Sequence, residues 1–91
     1  KLRHTVPASL ELDAVLEYIQ QSSPQGAAKV QTRIIDLTDL LLSDPFLGQQ
    51  TDDPQIRRLV ARPFPYLIFY EPAENEIIIH SVRHASRSEM N

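Results

Sequence analysis

Apolar residues recur along this chain in two rhythms, and the change from one to the other divides it. In residues 8–21, Leu12, Val15, Leu16 and Ile19 follow the i, i+3, i+4, i+7 spacing of one helix face. Leu10, Ala14 and Tyr18 lie beside that stripe, while Glu11, Asp13 and Glu17 take the other side, early acids that favour a helix N-terminus. Pro7 suits the first turn of this helix, and Thr5 is a better cap than Val6. Ser22-Ser23-Pro24 ends it and opens a second, with Ser23 as cap and Pro24 at the first helical position. Over residues 24–42, Val30, Ile34, Leu37 and Leu41 give a second apolar stripe, widened by Ala27, Ile35 and Leu42. A short turn between two amphipathic helices predicts an antiparallel helical hairpin.

From residue 56 onward the rhythm is that of strands. Residues 66–70 and 77–82 are aromatic and branched-aliphatic, suited to a pleated, half-buried surface. Between them, residues 71–76 form a polar break in which Pro72 cannot donate to a central ladder and Asn75 tolerates turn dihedrals, so a hairpin is expected. A third run, residues 56–61, is closed off by Pro63 and Pro65. Three such strands with short connections predict an antiparallel meander. Residues 2–6 read as a short edge strand stopped by Pro7. Residues 43–55 read as a loop, broken by Asp44-Pro45, Gly48 and Asp52-Asp53-Pro54, with Phe46 and Leu47 tucked under the domain. Residues 85–91 read as a polar tail. The expected fold is a single α+β domain over residues 1–91, order (β)-α-α-β-β-β, with the helical hairpin packed on one face of a small antiparallel sheet.

Composition narrows the function classes. At 91 residues, 42% hydrophobic and 23% charged, the chain reads as globular, and small enough for a partner to add to its stability. No apolar run approaches the ~20 residues that span a bilayer, and no secretory signal is read at the start. The absence of cysteine excludes disulfides and thiolate zinc sites, and is compatible with a reducing cytoplasm. Net charge is −3 and unevenly spread: residues 1–55 hold four Lys/Arg against eight acids, residues 56–91 five Arg against four Glu. The overall acidity argues against a general nucleic-acid coat.

Catalytic and metal chemistry find little support. His4, His80 and His84 are the only histidines; in regular strand geometry His80 and His84 share one face about 13 Å apart, too far for one ion. No serine sits in a nucleophile elbow, and neither Gly26 nor Gly48 belongs to a phosphate-cradling loop. The arginines are the more informative set. Arg57, Arg58 and Arg62 lie on or beside the first meander strand, Arg83 and Arg87 at the end of the last. As neighbours these strands would form one basic rim, able to hold an RNA backbone or an acidic protein segment. A solvated edge that resists aggregation is the alternative, and composition favours it. Leu10, Tyr18 and Leu40 lie off the main helical stripes and would leave a groove for a partner helix.

The helix Leu12-Asp13-Ala14-Val15-Leu16-Glu17-Tyr18-Ile19, the strand Pro65-Tyr66-Leu67-Ile68-Phe69-Tyr70 and the closing Val82-Arg83-His84-Ala85-Ser86-Arg87 resemble the ParE branch of the RelE/ParE toxin superfamily over nearly the whole chain. Ala85 and Ser86 depart modestly from the Gly-Ala of the family's closing motif. The resemblance implies the toxin of a bacterial type II toxin–antitoxin pair. Its partner would be a ribbon-helix-helix antitoxin that wraps the toxin and alone contacts operator DNA. ParE-type toxins act on DNA gyrase without a cofactor; RelE-type toxins cut mRNA in the ribosome. Of five positions that the RelE branch uses, the resemblance leaves one cation, Arg58; Val60, Leu67, Ala85 and Asn91 fall at the other four. Phosphodiester cleavage needs a proton acceptor, a proton donor and cationic phosphate stabilisation, so the expected function is gyrase inhibition by protein–protein binding with no catalytic residues. A rearranged endoribonuclease, or a toxin inactive on its target and kept in an autoregulatory complex, are the alternatives. The expected contact residues are Leu10, Tyr18, Leu40, Arg57, Arg58, Arg62, Arg83, His84 and Arg87.

Overall fold

The computed structural model describes residues 1–87. β1 (Leu2–His4) leads into α1 (Val6–Ser22) and α2 (Pro24–Ser43). β2 (Gln49–Gln50), β3 (Arg57–Val60), β4 (Tyr66–Ala73) and β5 (Glu76–His84) follow, and a 3-10 turn (Ala85–Arg87) stands where a polar tail is expected. The strands form one sheet in the order β1-β5-β4-β3-β2, antiparallel throughout except that β1 runs parallel to β5. The helical hairpin covers one face of it, an α+β arrangement.

Both helices begin where their caps dictate. Thr5 Oγ1 accepts from Ala8 N–H at 3.1 Å, and Ser23 Oγ accepts from Gly26 N–H at 2.9 Å. Pro7 and Pro24 fill first-turn positions that need no intrahelical N–H. Ser23 also closes α1 by donating its N–H to Ile19 O, so one residue ends one helix and starts the next. No acid stands in the first turn of α1; Glu11 is used elsewhere.

The inner face of the sheet carries Tyr66, Ile68 and Tyr70 of β4 with Ile77, Ile79 and Val82 of β5, packed on Val30, Ile34, Leu37 and Leu41 of α2. Leu12, Val15, Leu16 and Ile19 of α1 pack on this core half-buried. Ile35 and Leu42, expected to widen the α2 stripe, are instead 49% and 46% exposed. Thr38 takes the buried place, its hydroxyl satisfied at 3.0 Å by Ile34 O and Ile35 O. The outer face buries Leu67, Phe69 and Ile78 without a second layer among the described residues. Long charged side chains supply the cover. Arg83 lies over the Phe69 ring at 5.4 Å, Arg58 stands opposite Phe69, and Arg3, opposite Ile78, pairs with Glu76 at 3.2 Å.

Between Phe69 and Tyr70 the β4–β5 register shifts, leaving His80 as an extra residue that β4 does not match. This bulge changes the phase of β5. His80 meets Glu71 at 2.9 Å, whereas His84 packs edge-on against the inner-face ring of Tyr66, so the shared face expected for the two histidines does not exist. The β4–β5 hairpin is also tighter than the polar break suggests. Strand pairing runs to Ala73 and Glu76, and the turn is Glu74-Asn75, with Asn75 at φ 65°. Pro72 is tolerated because Ile77 opposite it sends its N–H away, to Lys1 O, and β3 stops pairing at Tyr70.

Phe46 and Leu47 do not tuck under the domain; they are 65% and 41% exposed. Tyr70 holds the loop instead. Its hydroxyl accepts from Gly48 N–H at 2.9 Å and donates to Pro45 O at 2.7 Å. Gly48 is required by close approach: a Cβ there would lie 2.7 Å from Arg58 O and 2.8 Å from the Tyr70 ring. Burial holds the Tyr70 phenol above its ordinary value, against the Gly48 N–H and nearby Arg57, which favour the phenolate. Fastened in this way, the loop can lay β2 along β3, a pairing of two glutamines that carries no strand signal in sequence.

Candidate functional site

The five arginines do not form one rim, because β4 lies between β3 and β5. Arg58 and Arg83 reach the same outer face and flank Phe69 from opposite sides. Arg58 donates to Gln49 Oε1 at 3.2 Å, and Arg83 donates to Ser81 Oγ at 2.8 Å. Neither has a carboxylate partner among the described residues. Arg57, opposite Tyr70, turns to the loop of residues 45–48, where it donates to Gly48 O at 2.7 Å and lies 4.9 Å from the Phe46 ring. It is a loop fastener. Arg62 lies exposed in the β3–β4 turn, where its carbonyl accepts from Arg33 Nε at 2.6 Å. The side chain of Arg87, and the whole of Asn91, lie outside the described residues.

The register shows what the outer face offers chemically. Val60 pairs with Leu67, and Leu67 with Arg83, giving one row across three strands. That row holds two aliphatic residues and one cation. Arg58 lies one row away, opposite Phe69. The face combines a buried apolar strip, Leu67, Phe69 and Ile78, with two cations that lack a counter-charge among the described residues, a surface suited to an acidic protein segment.

The helical candidates separate as well. Leu10, Tyr18 and Leu40 are exposed, at 64%, 67% and 46%. Tyr18 joins Arg83 and His84 along a groove of about 610 Å³ between α1 and β5; neither Leu10 nor Leu40 lines it. Sequence reasoning missed Glu11 here, reading it only as an early acid on the side away from the apolar stripe that favours the helix N-terminus. Its Oε1 accepts from Ser81 Oγ at 2.7 Å and from Val82 N–H at 3.0 Å, tying α1 to the edge of β5. The only hint in the sequence is that Glu11 adjoins the apolar stripe. At the groove's end, His84 Nδ1 accepts from Ser86 N–H at 3.0 Å and meets Ser86 Oγ at 2.8 Å. A backbone N–H bound to the same nitrogen marks this as a local cap for the 3-10 turn, in place of a nucleophile–base pair. No group of three or more potential metal ligands gathers among the described residues. No helix among them is long and apolar enough to cross a membrane.

A family model described as the ParE toxin of the type II toxin–antitoxin system parDE matches residues 2–89. The candidate toxin Y4kP of Sinorhizobium fredii is 33% identical over 85 residues, covering 93% of this chain and 88% of that protein. Toxin RelE2 of Caulobacter vibrioides is 35% identical over 80 residues, 88% of this chain and 89% of the relative. A chain of the chromosomal ParDE TA system from P. aeruginosa shares the fold, with a TM-score of 0.79 at 22% identity over 92% of this chain and 94% of its own.

Proposed function

The chain belongs to the ParE toxin family of type II toxin–antitoxin systems, and we propose that it acts by non-catalytic protein–protein binding, with DNA gyrase as target. The observation that carries this reading is the row Val60–Leu67–Arg83. A ribosome-dependent nuclease would set cations at two of these places; here they are aliphatic. With Arg58 alone surviving of the RelE-type set, that set no longer offers the groups that would accept and donate the protons strand cleavage requires. Inhibition by binding needs no such set and no cofactor.

A cognate antitoxin with a ribbon-helix-helix DNA-binding domain would neutralise the toxin and supply all contact with operator DNA. Exposed Leu10 and Leu40 offer it apolar contacts, and Arg58 and Arg83 accept its acidic residues. A gyrase inhibitor works in the cytoplasm, which suits a chain without cysteine. The likeness to a protein named RelE2 supports the second reading, cleavage of mRNA on ribosomes.

A gyrase supercoiling and cleavage assay with purified protein tests the proposal. Linear, gyrase-linked DNA that disappears when antitoxin is added is the expected result. Normal supercoiling at excess toxin rules out that gyrase as target. Cleavage of mRNA on translating ribosomes rules out the non-catalytic mechanism. Expression without growth arrest leaves the inactive, autoregulatory reading.

A further inference from the structure

The outer face of the sheet carries its charges in order along the strands. Successive rows cross it two residues apart on β4. Arg83 stands opposite Leu67, Arg58 opposite Phe69, Glu71 opposite Ile78 and Glu76 opposite Ala73. One end of the face is therefore cationic and the other acidic. The two cations rest on neutral partners, Ser81 Oγ and Gln49 Oε1. Arg3, in the Ile78 row, is spent on Glu76 at 3.2 Å, and Glu71 meets the His80 ring at 2.9 Å. Partly exposed pairs of this kind cost little to rearrange. Between the two ends lie Leu67, Phe69 and Ile78, already removed from water under charged side chains that can lift.

Consider a second copy turned over by a two-fold axis that runs across the strands, between the Phe69 and Glu71 rows. The first row then lies on the last and the second on the third, while each strand faces its own counterpart. Arg83 and Glu76 share β5, so each Arg83 faces the partner's Glu76. Arg58 on β3 comes beside the partner's Glu71 on the neighbouring β4. Symmetry makes each pairing twice. We propose that this face is a self-complementary interface through which two copies of the chain associate. An acidic segment matches only its cationic half, whereas a second copy brings both signs in the order the face needs. Along β4 the rows span about 20 Å, and five strands span about as much. A footprint of about 400 Å² per copy, against roughly 800 Å² in a standard interface, makes the dimer a weak one, with Kd on the order of 10 µM.

Sedimentation equilibrium of the full chain tests this without antitoxin or gyrase, so the outcome is separate from the target reading. The mass is expected to rise from monomer towards dimer between about 1 and 100 µM. Arg58→Glu with Arg83→Glu, or Glu71→Lys with Glu76→Lys, sets like charges face to face and is expected to raise Kd at least about tenfold. All four changes together restore opposite charges and are expected to return Kd to within about threefold of wild type, a recovery that damage to the fold would not give. In the unmodified chain, the amide signals of Leu67 and Ile78 are expected to shift over the same concentrations while those of Leu10 and Tyr18 stay fixed. A chain still monomeric at about 1 mM overturns the proposal. So does a dimer whose Leu67 and Ile78 signals do not move, or one that the paired reversals leave intact.

Discussion

The two faces of this sheet bury adjacent residues of the same kind by different means. Ile79 points into the helix layer and is fully buried among Tyr70, Val82 and the α2 stripe. Ile78, its neighbour, points out and is nearly as buried, yet its cover is an ion pair, Arg3 with Glu76. The inner face is sealed by apolar groups that have nowhere else to go. The outer face is sealed by side chains that can lift away, and a partner can replace them. Burial alone therefore does not distinguish a core residue from one under a removable cover.

The largest effect should separate those two isoleucines. Ile79→Ala is expected to cost about 3–5 kcal/mol, because the rigid inner layer cannot close on the void, and Ile78→Ala about 1–2, because the charged cover can settle. Equal midpoint shifts in urea unfolding would show that the outer face is as rigid as the core. A second prediction sharpens the contrast through binding. Arg58→Glu with Arg83→Glu should leave unfolding free energy within about 1 kcal/mol of wild type, yet weaken the antitoxin complex by about 2 kcal/mol or more. Calorimetry showing unchanged affinity would remove the outer face from the interface. The smallest effect concerns the cover itself. The Arg3 hydrogen bond holds the Glu76 carboxyl below its ordinary value of 4.5. A lowered folded-state pKa adds stability that is present above the ordinary value and lost as pH falls through the folded one. Glu76→Gln should therefore narrow its gap to wild type in acid, below pH 4.5, measured by thermal unfolding. A gap that does not change between neutral and acid pH would mean the pair contributes nothing.

Much of this fold is legible in the chain because its signals are local. Thr5 and Ser23 announce helix starts through their own hydroxyls, and Val30, Ile34, Leu37 and Leu41 mark a helix by spacing alone. What failed to appear depends on partners distant in sequence. Two glutamines become β2 only because Tyr70 fastens the loop before them, and nothing in Gln49-Gln50 says so. Phe46 looks like core by hydropathy but lies outside, against Arg57. The arginines divide between faces because strand order and register, rather than sequence position, decide which side chains meet. Of the candidate site, exposed Leu10, Tyr18 and Leu40 could be anticipated from their place off the stripe. The use of Glu11 at a strand edge could not, since it depends on how α1 is set against β5.

The unmatched residue His80 bears on how relatives of this chain should be aligned. The ladder counts Ile79 against Tyr70 and Ser81 against Phe69 and passes over the residue between. A relative one residue shorter at that point would keep each pairing on either side, with a straighter strand. A gap opened there in an alignment records the loss of a bulge and implies no change in which face Arg83 presents. An insertion two positions later has no such slack, and would turn the end of the strand inside out.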